Sequence, residues 1–119
     1  MTGDIGKLGE DKVCEKLESE GFEILVRNYS VHNVGELDIV ARKGNDIFVV
    51  EVKARSSKNA AYGSPESFIT RSKMLKIRKT INRLIAEYKL YDVNIVLMAG
   101  SVLHDGNGNV LSVELIELQ

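Results

Sequence analysis

The stretch that most narrows the possible folds is residues 35–55, GELDIVARKGNDIFVVEVKAR. Two runs rich in Val, Ile and Phe flank Gly44-Asn45, a dipeptide that marks a two-residue hairpin turn. That turn places Lys43 opposite Asp46, and the register follows for the whole hairpin. One face then pairs Leu37 with Val52, Ile39 with Val50 and Ala41 with Phe48, and is wholly apolar. The other pairs Val40 with Val49, Asp38 with Glu51 and Glu36 with Lys53.

Directly opposed side chains have Cβ atoms ~4.5–5.5 Å apart. Two carboxylates that close repel, and one takes up a proton unless a cation lies between them. A hard divalent ion such as Mg²⁺, with oxygen ligands at ~2.0–2.1 Å, suits such a pair. The plainer reading has Lys53 neutralising both acids in a solvated network. Val40 and Val49 share that face, which argues that it is covered, and this favours the cation site. Glu10 adds to it, because it shares a helical stripe with Val13, Cys14 and Leu17.

Around the hairpin, the periodicity predicts a helix over 4–20, capped by Asp4 and ended by Gly21, then a strand over 22–31. Residues 70–88 form the clearest helix, with Met74, Ile77, Ile81, Leu84, Ile85 and Tyr88 on one face. A short helical turn is expected at Ser64-Pro65. Strands follow at 92–100 and 110–118, separated by the turn HDGNGN. The order is α-β-β-β-α-β-β, an α/β chain in which the helix after the hairpin crosses over to a parallel strand.

The charge is unevenly placed. Between Arg42 and Lys89 lie twelve Lys/Arg and four Asp/Glu, whereas the remainder has four basic and thirteen acidic residues. A basic middle suits a polyanionic ligand, although a solvated dipolar surface has the same composition. With three Phe, four Tyr and no Trp, there is little to stack on bases, which argues against sequence-specific single-strand binding. Cys14 is the only cysteine, so a disulfide within the chain and a cysteine zinc cluster are excluded; it reads as a small buried hydrophobe. No segment has signal-peptide or membrane-spanning character, and a cytoplasmic location with no membrane partner is expected. His32 and His104 have no partner motif, and Gly3, Gly6 and Gly9 follow no strand and are not a phosphate loop.

Asp38, then Glu51-Val52-Lys53 on the adjacent strand, resembles the PD-(D/E)XK nuclease signature on its βββαβ core. The blocks GEDKVCEKLESEGFEILVRN, GELDIVARKGNDIFVVEVKAR and AYGSPESFITRSKMLKIRKTI are similar to successive blocks of the YraN-like family, over about residues 6–95. Those small bacterial proteins are grouped with endonucleases and related to archaeal Holliday-junction resolvases. Leu37 stands where that family commonly has proline, Ser30 where many members have a basic residue, and the C-terminal stretch matches less well. The resemblance implies a single nuclease-like domain over 1–119, with a restriction-endonuclease-like core of α-β-β-β-α-β order and a mixed sheet flanked by helices.

The implied function is a metal-dependent endonuclease that hydrolyses DNA phosphodiester bonds, at branched or damaged DNA. By the same resemblance, Asp38 and Glu51 bind Mg²⁺ or Mn²⁺ with the Val52 carbonyl as third ligand. Lys53 orients the attacking water and Glu10 completes the catalytic set. Arg55, Lys58, Lys73, Lys76, Lys79 and Arg83 are the expected phosphate contacts on duplex or branched DNA. A homodimer is suggested only by the likeness to resolvases. The alternative is a non-catalytic nucleic-acid-binding or scaffold protein on a nuclease fold.

Overall fold

The structure, a computed structural model, describes residues 2–59 and 69–118; the side chains of residues 2–4 and 59 lie outside that description. The expected Ser64-Pro65 turn therefore falls outside the described parts, while Asp4 lies within α1, which begins at Thr2, and so does not stand at the cap position expected of it. The elements are α1 (Thr2–Ser19), β1 (Glu23–Val31), β2 (Gly35–Lys43), β3 (Asp46–Ser56), a 3-10 turn (Ser57–Asn59), α2 (Arg71–Tyr88), β4 (Asn94–His104) and β5 (Val110–Glu117). Sequence order and sheet order coincide, β1-β2-β3-β4-β5. Only the β3–β4 pair is parallel, as the crossover through α2 requires. The result is a mixed five-stranded α/β sheet with a helix on each face, compatible with a restriction-endonuclease-like core.

The hairpin forms as the turn dipeptide dictates. Gly44 takes φ 64 and Asn45 stays out of the left-handed region, the pattern of a type II′ turn with glycine at its first central position. Pairing then runs Lys43–Asp46, Arg42–Ile47, Ala41–Phe48, Val40–Val49 and Ile39–Val50. Ile39, Ala41 and Val50 pack under α1 with Val13, Cys14, Leu17 and Val102. On the opposite face Leu37, Val40, Ile47 and Val49 pack under α2 with Ile77, Ile81, Leu84 and Leu90. Each helix thus buries the apolar stripe that its sequence period sets out.

Helix α2 starts one residue later than the period suggests, at a Thr70 cap whose hydroxyl accepts the Lys73 N–H at 3.1 Å. Lys89, in the left-handed region, ends it by donating its N–H to the Ile85 carbonyl. Asp92 is also left-handed, φ 58, and β4 begins only at Asn94 instead of at residue 92. No helix among the described residues is long and apolar enough to cross a membrane.

The approach of α2 to β2 depends on Gly35. A Cβ at that position would lie 2.6 Å from the Thr80 hydroxyl and 3.4 Å from the Lys76 carbonyl, the two groups joined by a 2.7 Å hydrogen bond. Thr80 is fully buried, so it has little room to yield. Gly35→Ala should therefore cost about 1–3 kcal/mol through overpacking, read as a lower urea midpoint at constant slope. An unchanged midpoint would show that α2 can lift off β2 without cost.

Candidate active site

The β2–β3 ladder ends at Ile39–Val50, and the acids sit where the strands part. The hairpin register does not continue to Glu36–Lys53: Glu36 pairs instead with Ser30 of β1, and Lys53 lies opposite Ser101 of β4. Nor do Leu37 and Val52 share a face, since Leu37 belongs to the α2 core and Val52 packs against the α1 core. The physical reason lies at Asn28, which is left-handed at φ 53 in β1. Its neighbours pair Arg27–Ile39 and Tyr29–Leu37, so Asn28 stands level with Asp38. Both strands change face there. Such a break in the pleat re-aims side chains in the manner of a bulge.

At this break Asp38 and Glu51 reach across the gap to each other's backbone. Asp38 Oδ2 accepts the Val52 N–H at 2.8 Å, and Glu51 Oε2 accepts the Asp38 N–H at 3.3 Å. Glu51 is only 3% exposed. Burial, and then the negative charge of Asp38, push its carboxyl up to about 8; the Asp38 N–H and the Lys73 cation partly offset this. A nearly sealed carboxylate beside a second one is poised to take either a proton or a cation.

A hollow of about 290 Å³ opens on the pair, lined by Gly35, Glu36, Asp38, Glu51, Lys73, Lys76 and Ile77. Helix α2 thus brings Lys73 and Lys76, two of the expected phosphate contacts, to the hollow that holds the acids. Lys79 and Arg83 are exposed further along the helix; at 1.5 Å per residue, Arg83 stands roughly 15 Å beyond Lys73. Lys53 is exposed on β3, two residues from Glu51 and on the same side by the strand's alternation. Arg55 is half-buried on the same strand, and Lys58 is exposed in the 3-10 turn that follows.

Glu10 reaches the region from α1. Its side chain is 20% exposed, and its carboxylate lies 3.5 Å from the Arg27 guanidinium, which also holds Asp11 at 2.8 Å. Burial raises its pKa first and the charge of Asp38 second, while Asn28 and Arg27 act against this by hydrogen bonding and charge. Among the described residues no group of three or more His, Cys, Asp or Glu is placed to hold a metal ion. The donors on hand are two carboxylates and backbone carbonyls, with Glu10 further out. An all-oxygen set in which a buried carboxylate, Glu51, stands beside a half-buried one, Asp38, fits a hard divalent ion that keeps much of its water. Arg27 and Asn28 were not singled out by composition or period; their signal is a polar Arg-Asn step within an apolar strand.

Residues 9–98 match a family described as Uncharacterised protein family UPF0102. A UPF0102 protein of Dictyoglomus turgidum is 38% identical over 113 residues, covering 95% of this chain and 93% of its own. One of Clostridium kluyveri is 35% identical over 114 residues, covering 96% and 91%. A third, from Flavobacterium johnsoniae, is 45% identical over 82 residues, covering 69% and 64%.

Proposed function

This chain belongs to the uncharacterised protein family UPF0102, and we propose that it is a Mg²⁺- or Mn²⁺-dependent endonuclease of the PD-(D/E)XK type acting on duplex or branched DNA. The observation that carries this reading is the pairing of half-buried Asp38 with buried Glu51, opening into a hollow lined by Lys73 and Lys76. Two carboxylates and the Val52 carbonyl would hold the divalent ion, whose contribution is Lewis acidity toward a phosphate oxygen and a water of lowered pKa. Lys73 and Lys76 supply positive charge for the phosphate at the mouth of the hollow, and Lys53 orients the attacking water and meets charge that develops in the transition state. Glu10 holds a water at the edge of the site. Arg55, Lys58, Lys79 and Arg83 extend the cationic track along which a phosphate backbone would lie. A cytoplasmic setting goes with this reading.

One observation favours a non-catalytic DNA-binding scaffold instead. Each carboxylate already accepts a backbone N–H of the opposite strand, which is structural work in its own right. The two readings share DNA binding and part at cleavage. Linear, nicked, flapped and four-way DNA incubated with the protein should be cut in Mn²⁺ and left whole in EDTA. Binding should weaken steeply with salt, and replacing Lys76, Lys79 and Arg83 by Ala should flatten the log–log slope by about 2–3, since each lost phosphate contact removes ~0.9. Binding without cleavage of any form leaves the scaffold, and no binding at low salt removes both.

A further inference from the structure

Consecutive residues of a pleated strand point to opposite faces of the sheet. Arg27 and Asn28 break that rule, because both line one hollow with Glu10. The Arg27 Nη2 lies 3.5 Å from Glu10 Oε1, and Asn28 lines the same hollow as both, where its side chain acts to lower the Glu10 pKa. The left-handed backbone at Asn28, φ 53, makes this geometry available. Asparagine tolerates that conformation better than most residues, and a β-branched residue does not. One residue later the strand has recovered, with Tyr29 packed on the α2 side against Tyr88.

The consequence falls on the acidic pair. Asn28 stands level with Asp38, so the break that lets Asn28 reach Glu10 is the one at which Asp38 leaves the ladder. Arg27 is fastened in turn by Asp11 at 2.8 Å, one residue along α1 from Glu10. Helix and strand therefore meet at four side chains, Glu10 and Asp11 of α1 and Arg27 and Asn28 of β1. A hollow of about 570 Å³, lined by Gly6, Lys7, Glu10, Arg27 and Asn28, lies in front of the junction and gives the Glu10 carboxylate access to solvent. Glu10 is held between a cation, an amide and the charge of Asp38, which acts on it unfavourably.

We propose that Arg27 and Asn28 form a clamp that fixes the Glu10 carboxylate toward Asp38, so that Glu10 serves the hydration shell of the divalent ion as a third acidic group. The clamp rests on the cation-site reading above. Its members are positioning residues, acting through Glu10 and touching neither ion nor phosphate. The left-handed Asn28 is its pivot, aiming Glu10 and Asp38 with one backbone distortion.

The test is calorimetric titration with Mn²⁺ at one fixed pH, on wild type, Glu10→Gln, Asn28→Gly, Arg27→Ala and the doubles that carry Glu10→Gln. Asn28→Gly keeps the left-handed backbone and removes only the amide, so it separates the contact from the fold. Asn28→Gly and Arg27→Ala should each weaken Mn²⁺ about 10-fold or more, as loss of an outer-shell partner does. In the Glu10→Gln background the same changes should cost little further, because the group they position is already gone. Arg27→Lys should recover part of the loss. Additive effects, or single variants with wild-type affinity, overturn the clamp while the cation site stands. A wild-type chain with no Mn²⁺ affinity overturns the site itself and the clamp with it. Should Arg27→Ala fail to fold, the Asn28→Gly cycle decides alone.

Discussion

Glu51→Gln should withstand more denaturant than the wild-type chain at pH 8 and should lose the stabilisation that Mn²⁺ confers. The carboxyl of Glu51 stands at about 8 in the folded chain against an ordinary value of 4.5. Below the ordinary value it is protonated in both states, and its contribution to stability is fully present. Between the two values the folded chain retains a proton that the unfolded chain releases, so stability falls as pH rises through this window. The loss is at most ~1.4 kcal/mol per pH unit, on the order of a few kcal/mol in all. Glutamine removes the titration and can still accept the Asp38 N–H that Glu51 holds at 3.3 Å. Its profile should be flatter over the same window and its midpoint higher at the alkaline end.

On the proposed cation site, Mn²⁺ should act in the opposite sense on the wild-type chain, since a divalent ion held by the carboxylates would relieve their repulsion. At ~100 times its dissociation constant it should add about 2.7 kcal/mol to the wild type. Asp38→Asn combined with Glu51→Gln should abolish saturable binding and the added stability together. Equal pH profiles for wild type and Glu51→Gln would mean that Glu51 ionises without cost. Equal response to Mn²⁺ in the double variant would remove the cation site.

The parts of this site that the sequence made legible are those governed by local rules. Gly44-Asn45 set the hairpin turn, and with it the register from Lys43–Asp46 to Ile39–Val50. The helical periods set which faces of α1 and α2 are buried. The register failed beyond Ile39 because alternation assumes an unbroken pleat, and a left-handed residue in the neighbouring strand β1 breaks it. No period in β2 reports on the backbone of Asn28. For the same reason Glu36 and Lys53, expected across from each other, went to different strands. Asp38 and Glu51 nevertheless stayed together, joined through backbone amides instead of ladder pairing. Thr80 escaped the apolar count because its hydroxyl is satisfied within the helix by the Lys76 carbonyl, which lets a polar residue sit in the core under Gly35.

Lys53→Ala should lower DNA turnover by about 10²–10³-fold with little change in Mn²⁺ affinity or folding stability. The parting of β2 and β3 makes this a sharper test than hairpin pairing would have allowed. Had Lys53 faced Glu36, its removal would have stranded a carboxylate, and any loss of activity could have been a loss of structure. Instead it lies opposite Ser101 and is exposed, and it makes no ion pair with another described residue. An exposed lysine with no counter-ion among the described residues should contribute little to stability, within about 0.5 kcal/mol for ordinary surface changes. Its ammonium matters only if something charged arrives beside Glu51, and on the proposed nuclease reading that would be a phosphate approaching the hollow lined by Lys73 and Lys76. The interaction strengthens as charge builds on the phosphate oxygens, so the loss should appear in kcat more than in KM. Lys53→Arg should recover only part of it, because the planar guanidinium places its charge differently from an ammonium. A kcat for Lys53→Ala within a few-fold of wild type would make Lys53 a surface residue and take the water-orienting role away from it. A rise in KM alone would place it among the phosphate contacts with Lys76 and Lys79.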